Sequence, residues 1–146
     1  MCYPLFINFL YQSLLIMLLQ LSLSHFNRLE SQWTPETAGG CTNYPTYKKN
    51  PSHSITVSDE KLLIIQMKAP REYNIGFSIE CIELNDCSVN ANFHKRDTGD
   101  FHHGYCYMEI KDLQAGKYKI TPCSFYPDQA GKYFLEFNSN SAQVKF

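Results

Sequence analysis

The sequence lacks an excess of charge of either sign, because 13 Lys and Arg residues stand against 14 Asp and Glu residues in 146 positions. Proteins that bind duplex nucleic acid meet its phosphates with clusters of Lys and Arg, so we expect no nucleic-acid partner. A chain of this length is long enough for one domain with a substantial core and too short for two. We therefore expect a single folded domain.

Charged side chains are missing altogether from residues 1–27, and all of them lie from Arg28 onward. Residues 1–24 are apolar apart from a few Asn, Gln and Ser, and about 20 apolar residues can cross a bilayer as a helix. A signal peptide would carry Lys or Arg before its apolar run, and this segment has neither. We divide the chain into an apolar leader at 1–24, a linker at 25–31 and a domain at 32–146. Three interpretations of the leader stay open: a membrane anchor, a signal-like segment, or an artefact of the gene model.

Cysteine pairs of the kind that hold zinc are also missing, since none of the six cysteines has the Cys-x2-Cys spacing. Cys2 lies in the leader, which leaves an odd number of cysteines for disulfide pairing in the domain. Cys81 and Cys106 fall on the apolar side of alternating runs, where a free thiol packs as a small hydrophobe. We expect reduced thiols, a cytoplasmic domain and no zinc site at His102 and His103.

Dense acidic loops are absent as well. Apart from Asp59-Glu60, the turn acids that could bind a cation stand singly, at Asp86, Asp97, Asp100 and Asp128. Calcium takes six to eight converging oxygen ligands, and scattered carboxylates do not supply them. We therefore expect no cofactor, with calcium as the one ion left to consider.

Short runs in which apolar and polar residues alternate fill the chain from Pro51 onward, and turn residues separate them. This pattern is typical of an all-β domain, and residues 85–103 form the one long unpatterned loop. We predict an antiparallel β-sandwich of about eight strands, without a helix beyond the leader. The runs that predict strands are 54–58, 61–68, 74–84, 104–110, 117–125, 132–138 and 141–146.

Two segments carry most of the specific sequence signal. The first contains a lone Trp, a Gly-Gly pair and an Asn-Tyr-Pro turn, at Trp33, Gly39, Gly40, Cys41, Asn43 and Pro45. The second contains glycines and prolines that bound two strands, at Gly116, Pro122, Phe125, Pro127 and Gly131. We expect a positive φ at Gly116 in a hairpin turn, and inward side chains at Tyr118, Ile120, Tyr133, Leu135 and Phe137.

These two segments together resemble the third domain of the calpain family, a β-sandwich that follows the cysteine-protease core. The runs Met67–Phe77 and Gly104–Tyr107 resemble the PalB-like branch, known as calpain seven, whose sandwich module occurs twice at the C-terminus. The resemblance covers residues 32–146. It implies a non-catalytic regulatory or targeting domain of a calpain-like intracellular protease, with the protease core as its partner in cis or in trans.

The resemblance implies no catalysis by this chain itself. Cysteine proteases need a thiolate, a His base and an orienting Asn or Asp between two lobes. None of the six cysteines lies in the Gly-Asp-Cys-Trp-like segment of calpain cores. Two alternatives stay open: the chain is the C-terminal fragment of a calpain-type cysteine endopeptidase, or it is a stand-alone binding module anchored to membranes by residues 1–24.

Basic residues supply the candidate binding site. Lys95 and Arg96 lie on the long loop, and Lys117 and Lys119 alternate along one expected strand. Such side chains could meet acidic phospholipid or an acidic protein surface, each charge adding about 1 kcal/mol near an anionic membrane. Ordinary solvated lysines on an outward strand face are the competing interpretation.

Overall fold

A computed structural model describes residues 10–18, 25–140 and 144–146, and in these ranges two antiparallel sheets pack face to face. Sheet A has the strand order β1 (His25–Trp33), β9 (Gly131–Ser139), β3 (Glu60–Lys68), β7 (Tyr105–Leu113). Sheet B has the order β2 (His53–Val57), β8 (Gly116–Ser124), β4 (Asn74–Leu84), β5 (Lys95–Asp97), and β6 (His102–His103) also pairs with β4. The predicted all-β sandwich is confirmed. We call the face of each sheet that meets the other sheet its inner face.

The core lies between the inner faces and follows from period-two alternation. Leu63, Ile65 and Met67 of β3 are fully buried in it, as is Ile120 of β8. Tyr118 and three inward residues of β9 join them, as predicted: Tyr133, Leu135 and Phe137. β3 lies between β9 and β7, which fits its apolar residues on both faces.

The largest difference from the sequence analysis concerns residues 25–31, which we interpreted as a linker. They form most of β1, which pairs with β9 from His25 opposite Ser139 to Trp33 opposite Gly131. Exposed residues of β1 alternate with half-buried ones, but only Leu29 is an aliphatic inward residue. The strand is therefore stabilised by its pairing with β9 more than by its own side chains, and a hydrophobic pattern does not reveal it.

Smaller differences lie at loops and turns. The predicted loop at 85–103 contains the short strands β5 and β6, and β7 continues to Leu113, beyond the predicted end of that strand at residue 110. The prediction of a positive φ at Gly116 was wrong, and the residue with a left-handed backbone near that turn is Asp112, close to the end of β7, at φ 53°. Position 116 has no room for a larger residue, since a Cβ there would collide with the carbonyl oxygen of Glu83.

The ends of the chain are described only in part. Of the predicted strand at 141–146, residues 141–143 lie outside the described residues, and Lys145 forms an isolated bridge with Thr56. In the leader, residues 10–18 are helical and the rest lies outside the described residues. In the described ranges, no helix is both long and apolar enough to cross a membrane. A short 3-10 helix, Pro45–Lys49, was not predicted.

Trp33 joins the two sheets at one end of the core. Its indole Nε1–H donates to the carbonyl oxygen of Pro122 on β8, at 3.3 Å, across the sandwich. Its ring packs on Tyr133 with centroids 4.6 Å apart. The Tyr133 hydroxyl in turn lies 2.6 Å from Nε2 of His53 on β2. Trp33 and Tyr133 of sheet A therefore hold β8 and β2 of sheet B through side-chain contacts.

The two motifs recognised in the sequence meet at this end of the molecule. The Cys41 amide donates to the Phe125 carbonyl at 3.1 Å, and the Asp128 amide donates to the Ala38 carbonyl at 2.9 Å. Gly40 has a φ of 77°, and a Cβ there would lie 2.7 Å from the nitrogen of Pro127. Gly40 therefore needs a left-handed backbone and close approach to the second motif, which together favour glycine.

Asn50 fixes this junction, although the sequence analysis did not select it. Its side chain is buried, and Oδ1 accepts from the Gly39 amide at 3.1 Å. Its Nδ2 donates to the carbonyl oxygens of Gly40 and Tyr47, both at 2.8 Å. Asn43, the residue that the motif emphasised, is exposed instead.

The substitution Asn50→Ala is expected to lower the free energy of unfolding by about 1–3 kcal/mol, because it leaves buried amide and carbonyl groups without partners. Urea denaturation followed by tryptophan fluorescence measures the change through the single Trp. The matched control, Asn43→Ala, should stay within about 0.5 kcal/mol of the parent chain. Equal effects of the two substitutions would contradict the role assigned to Asn50.

A pH dependence is expected at His53, because burial lowers the pKa of its imidazole from 6.5. In the unfolded chain the pKa is ordinary, so the unfolded state takes up the proton first as the pH falls. The contribution of neutral His53 to stability is thus fully present above pH 6.5 and is lost as the pH falls towards the lowered pKa. Urea denaturation at pH 7.5 and 5.5 should show a smaller stability difference between the parent and His53→Gln at the lower pH; a constant difference would contradict the lowered pKa.

Candidate functional site

The outer face of sheet B brings together three of the four basic residues selected from the sequence. Glu80 on β4 pairs in register with Lys95 on β5 and with Lys119 on β8, so the three form one row. Nζ of Lys119 lies 3.3 Å from a carboxylate oxygen of Glu80. Both side chains are about two-fifths exposed, so this ion pair orders the row more than it stabilises the fold.

A second row runs beside the first. Lys117 lies two residues before Lys119 on β8 and therefore points to the same face. Its register partners are Thr56 on β2 and Glu83 on β4. Thr56 in turn exchanges two backbone hydrogen bonds with Lys145, of 2.8 and 3.0 Å. Lys145 thus extends this row beyond β2.

We call Lys95, Lys117, Lys119 and Lys145 the lysine face. Among the residues that the structure describes, Lys95, Lys117 and Lys145 form no ion pair. Glu80 and Glu83 are the acids between them, and Asp97 lies in the next row on β5. The face therefore combines unpaired cations with a few carboxylates on one face of an antiparallel sheet.

The 3-10 helix adds two further lysines at the margin of this face. Its Tyr47 hydroxyl lies 3.3 Å from Oγ of Ser78 on β4, which seats the helix against sheet B. Nζ of Lys95 stands 6.0 Å from the centre of the Tyr47 ring. Lys48 and Lys49, which follow Tyr47 directly, are exposed.

Arg96 does not belong to the lysine face. It alternates with Lys95 along β5 and so points to the other side of sheet B. Its guanidinium donates to the Glu109 carbonyl at 3.4 Å and lies 5.7 Å from the centre of the Phe93 ring. The structure therefore gives Arg96 a bridging position between β5 and β7 at the open side of the sandwich.

Sequence reasoning found Lys117 and Lys119 because they alternate on one strand, but it missed Lys145. Lys145 joins the face through a single bridge from residues close to the C-terminus, and no local pattern marks such a pairing. The separation of Lys95 from Arg96 would have been predictable if β5 had been recognised as a strand.

Three of the thiols, those of Cys81, Cys106 and Cys123, are not suited to nucleophilic chemistry. Burial raises the pKa of Cys123 to about 12, and burial also raises the pKa of Cys106 and of Cys81. The thiolate is the nucleophilic form of cysteine, so a raised pKa suppresses reaction at neutral pH. Cys106 lies in the core and Cys81 packs against it, as predicted.

The acidic candidates for calcium are engaged in turns. Asp86 accepts from the amide and the hydroxyl of Ser88, at 2.9 and 2.6 Å, and these bonds lower the pKa of its carboxyl. Asp97 accepts from the Gly99 amide at 2.8 Å. In the described part of the chain, no three His, Cys, Asp or Glu side chains are grouped to hold a metal ion. His102 and His103 form β6.

Comparison with known proteins places the sandwich in a family. The model of the calpain large subunit, domain III, matches residues 29–137. Calpain-7 of Mus musculus is 34% identical over 113 residues, which cover 77% of this chain and 14% of the relative. The calpain-like protease palB of Emericella nidulans is 29% identical over 116 residues, with the same shares covered. The chain thus spans about one seventh of the length of these curated relatives.

A solved structure supports the architecture alone. The surface-associated copper-binding protein CorA of Methylomicrobium album BG8 superimposes with a TM-score of 0.54 over 80% of this chain and 96% of that chain. The two sequences are 6% identical, so the similarity concerns the fold.

The family match covers most of the sandwich, and it includes both sequence motifs and all of β3, β4, β7 and β8. The chain therefore belongs to the calpain large subunit domain III family, the accessory domain of calpain-type proteases, as found in calpain-7 and PalB.

Proposed function

We propose that this domain is a non-catalytic targeting module of a calpain-like intracellular cysteine protease, and that its lysine face contacts anionic phospholipid. The observation that carries the proposal is the convergence of Lys95, Lys117 and Lys119, from two strands, on one outer face together with Lys145. The protease core of the parent protein, in cis or in trans, is the partner that such targeting would serve.

The electrostatics of the face support this proposal. Three of its four lysines have no carboxylate partner in the described ranges, so their charges are available to phosphate groups. Each Lys near an anionic membrane contributes about 1 kcal/mol, and the contribution weakens with salt. Lys48 and Lys49 at the margin widen the basic area beyond the two rows.

The position of the lysines on an open sheet face also fits a membrane. Lys117, Lys119 and Thr56 lie on the same outer face of β8 and β2. Such a face can bring several cations to a lipid headgroup layer at once, whereas a small anionic ligand is held better by a concave site.

Replacing Lys95, Lys117 and Lys145 with Gln is expected to weaken binding to vesicles that contain phosphatidylserine by about 100-fold, since it removes three unpaired charges worth about 1 kcal/mol each. Co-sedimentation with phosphatidylserine–phosphatidylcholine vesicles measures this, and pure phosphatidylcholine vesicles give the baseline. Raising the salt should weaken binding of the parent chain in the same way.

The matched control carries the same loss of charge elsewhere, at Lys61, Lys111 and Lys132 of sheet A, and should bind like the parent chain. If the parent chain does not bind anionic vesicles above the baseline, the phospholipid contact is refuted. Equal weakening by the two triple variants would show a response to net charge and would refute the lysine face as the contact.

A further inference from the structure

The outer face of sheet A contains a fully buried residue that is not part of the core. Ile64 alternates with Leu63 and Ile65 along β3, so its side chain points away from sheet B. It is 0% exposed, yet it lies outside the core cluster. Its register partners are Asn138 on β9 and Glu109 on β7. Complete burial of an outward residue on a sheet face requires cover by large neighbouring side chains or by another segment of chain.

Two buried side-chain amide nitrogens on the same face have no hydrogen-bond partner among the residues that the structure describes. Gln66 is 5% exposed and Asn138 is 7% exposed, and both share the outward side of Ile64. Oε1 of Gln66 accepts from the Tyr105 hydroxyl at 2.8 Å, but its Nε2 is buried and unpaired, as is Nδ2 of Asn138. A buried donor without a partner destabilises the fold, because it has lost its hydrogen bond to water. The face therefore presents an apolar centre and two N–H donors that carbonyl oxygens could accept from.

The helix at residues 10–18 is rich in apolar side chains, which match the apolar centre of this face. Its large apolar side chains are mostly exposed, and the exposed members are Leu10, Tyr11, Leu14, Leu15, Met17 and Leu18. Ile16 is the exception at 4% exposed, and like Ile64 it lies outside the core cluster. One buried side chain in a helix marks the side on which that helix meets a surface.

The connection to β1 brings this helix to the same part of sheet A. Six residues separate it from His25, where β1 begins, and six residues reach up to about 20 Å. Phe26 pairs with Asn138, and Asn138 pairs with Ile64, so the three stand in one row. Ile64 is therefore two strand spacings, or about 10 Å, from the point where the chain enters the sheet.

We propose that the outer face of sheet A is a docking surface for an apolar helix, and that residues 10–18 of this chain occupy it with Ile16 against Ile64. Docking buries Ile64 and brings backbone carbonyls, which are unpaired at a helix end, near the donors of Gln66 and Asn138. Residues 10–18 then cover a protein surface instead of entering a bilayer. This face is opposite the lysine face, so the proposal does not depend on phospholipid binding.

Disulfide trapping tests the contact in the full chain. The variant carries Ile16→Cys and Ile64→Cys, with Cys2→Ser and Cys87→Ser to remove the leader thiol and the exposed thiol of the domain. Oxidised glutathione takes two electrons and two protons from the paired thiols and is reduced to two glutathione molecules. We expect an intramolecular 16–64 disulfide, identified by mass spectrometry of unreduced peptides.

The control variant carries Leu14→Cys instead of Ile16→Cys, with the other three substitutions unchanged. Leu14 is 52% exposed, and its position two residues earlier puts it about 200° around the helix from Ile16. The 14–64 pair should form a disulfide at least tenfold more slowly than the 16–64 pair. Equal rates, no disulfide, or a disulfide only between two chains would each overturn the proposal.

A second variant changes only the helix, so its result does not depend on whether the sandwich folds with a substitution at Ile64. Ile16→Glu should release the helix and speed chymotryptic cleavage after Tyr11 at least tenfold, because a charge cannot remain in the apolar contact. The control Met17→Glu changes an exposed position of the same helix and should leave the cleavage rate close to that of the parent. Equal cleavage of the two variants would overturn the docking of Ile16.

Discussion

The closure of one end of the sandwich by Trp33 is the constraint on which the rest of the structure depends. One indole packs on Tyr133 of its own sheet and donates to the Pro122 carbonyl of the other sheet. The hydroxyl of Tyr133 extends the contact to His53. Around this point Gly40 approaches Pro127, and backbone hydrogen bonds join the two motifs. Both outer faces therefore keep their positions because the sheets are fixed to each other here.

The residues that the sequence predicts well are those whose environment is local. The strand β4 was predicted from residue 74 to residue 84 because apolar and small or polar residues alternate in it from Ile75 to Cys81. The inward orientation of Tyr118, Ile120 and Phe137 follows from the same period. The family assignment was reached from short motifs because glycine, tryptophan and proline have specific steric roles at positions such as Gly40 and Trp33.

The residues that escaped prediction depend on partners far along the chain. β1 is a strand because β9 pairs with it, and its own residues carry only a weak hydrophobic pattern. Asn50 is important because three backbone groups of Gly39, Gly40 and Tyr47 surround it, and an isolated Asn gives no sign of this. For the candidate site, alternation on β8 identified Lys117 and Lys119, whereas Lys145 and the separation of Arg96 required the pairing of the strands.

The pairing of β1 with β9 has a consequence for how the domain is made. His25 lies opposite Ser139 and Trp33 lies opposite Gly131, so the first strand finds its hydrogen-bonding partner near the end of the chain. Contacts of such sequence separation slow folding, because most of the loop entropy must be lost before they form. On the ribosome, β1 stays unpaired until β9 has emerged, and the edge of sheet A remains open to other strands for most of the domain's synthesis. Sheet A is therefore completed only after β9 has been translated.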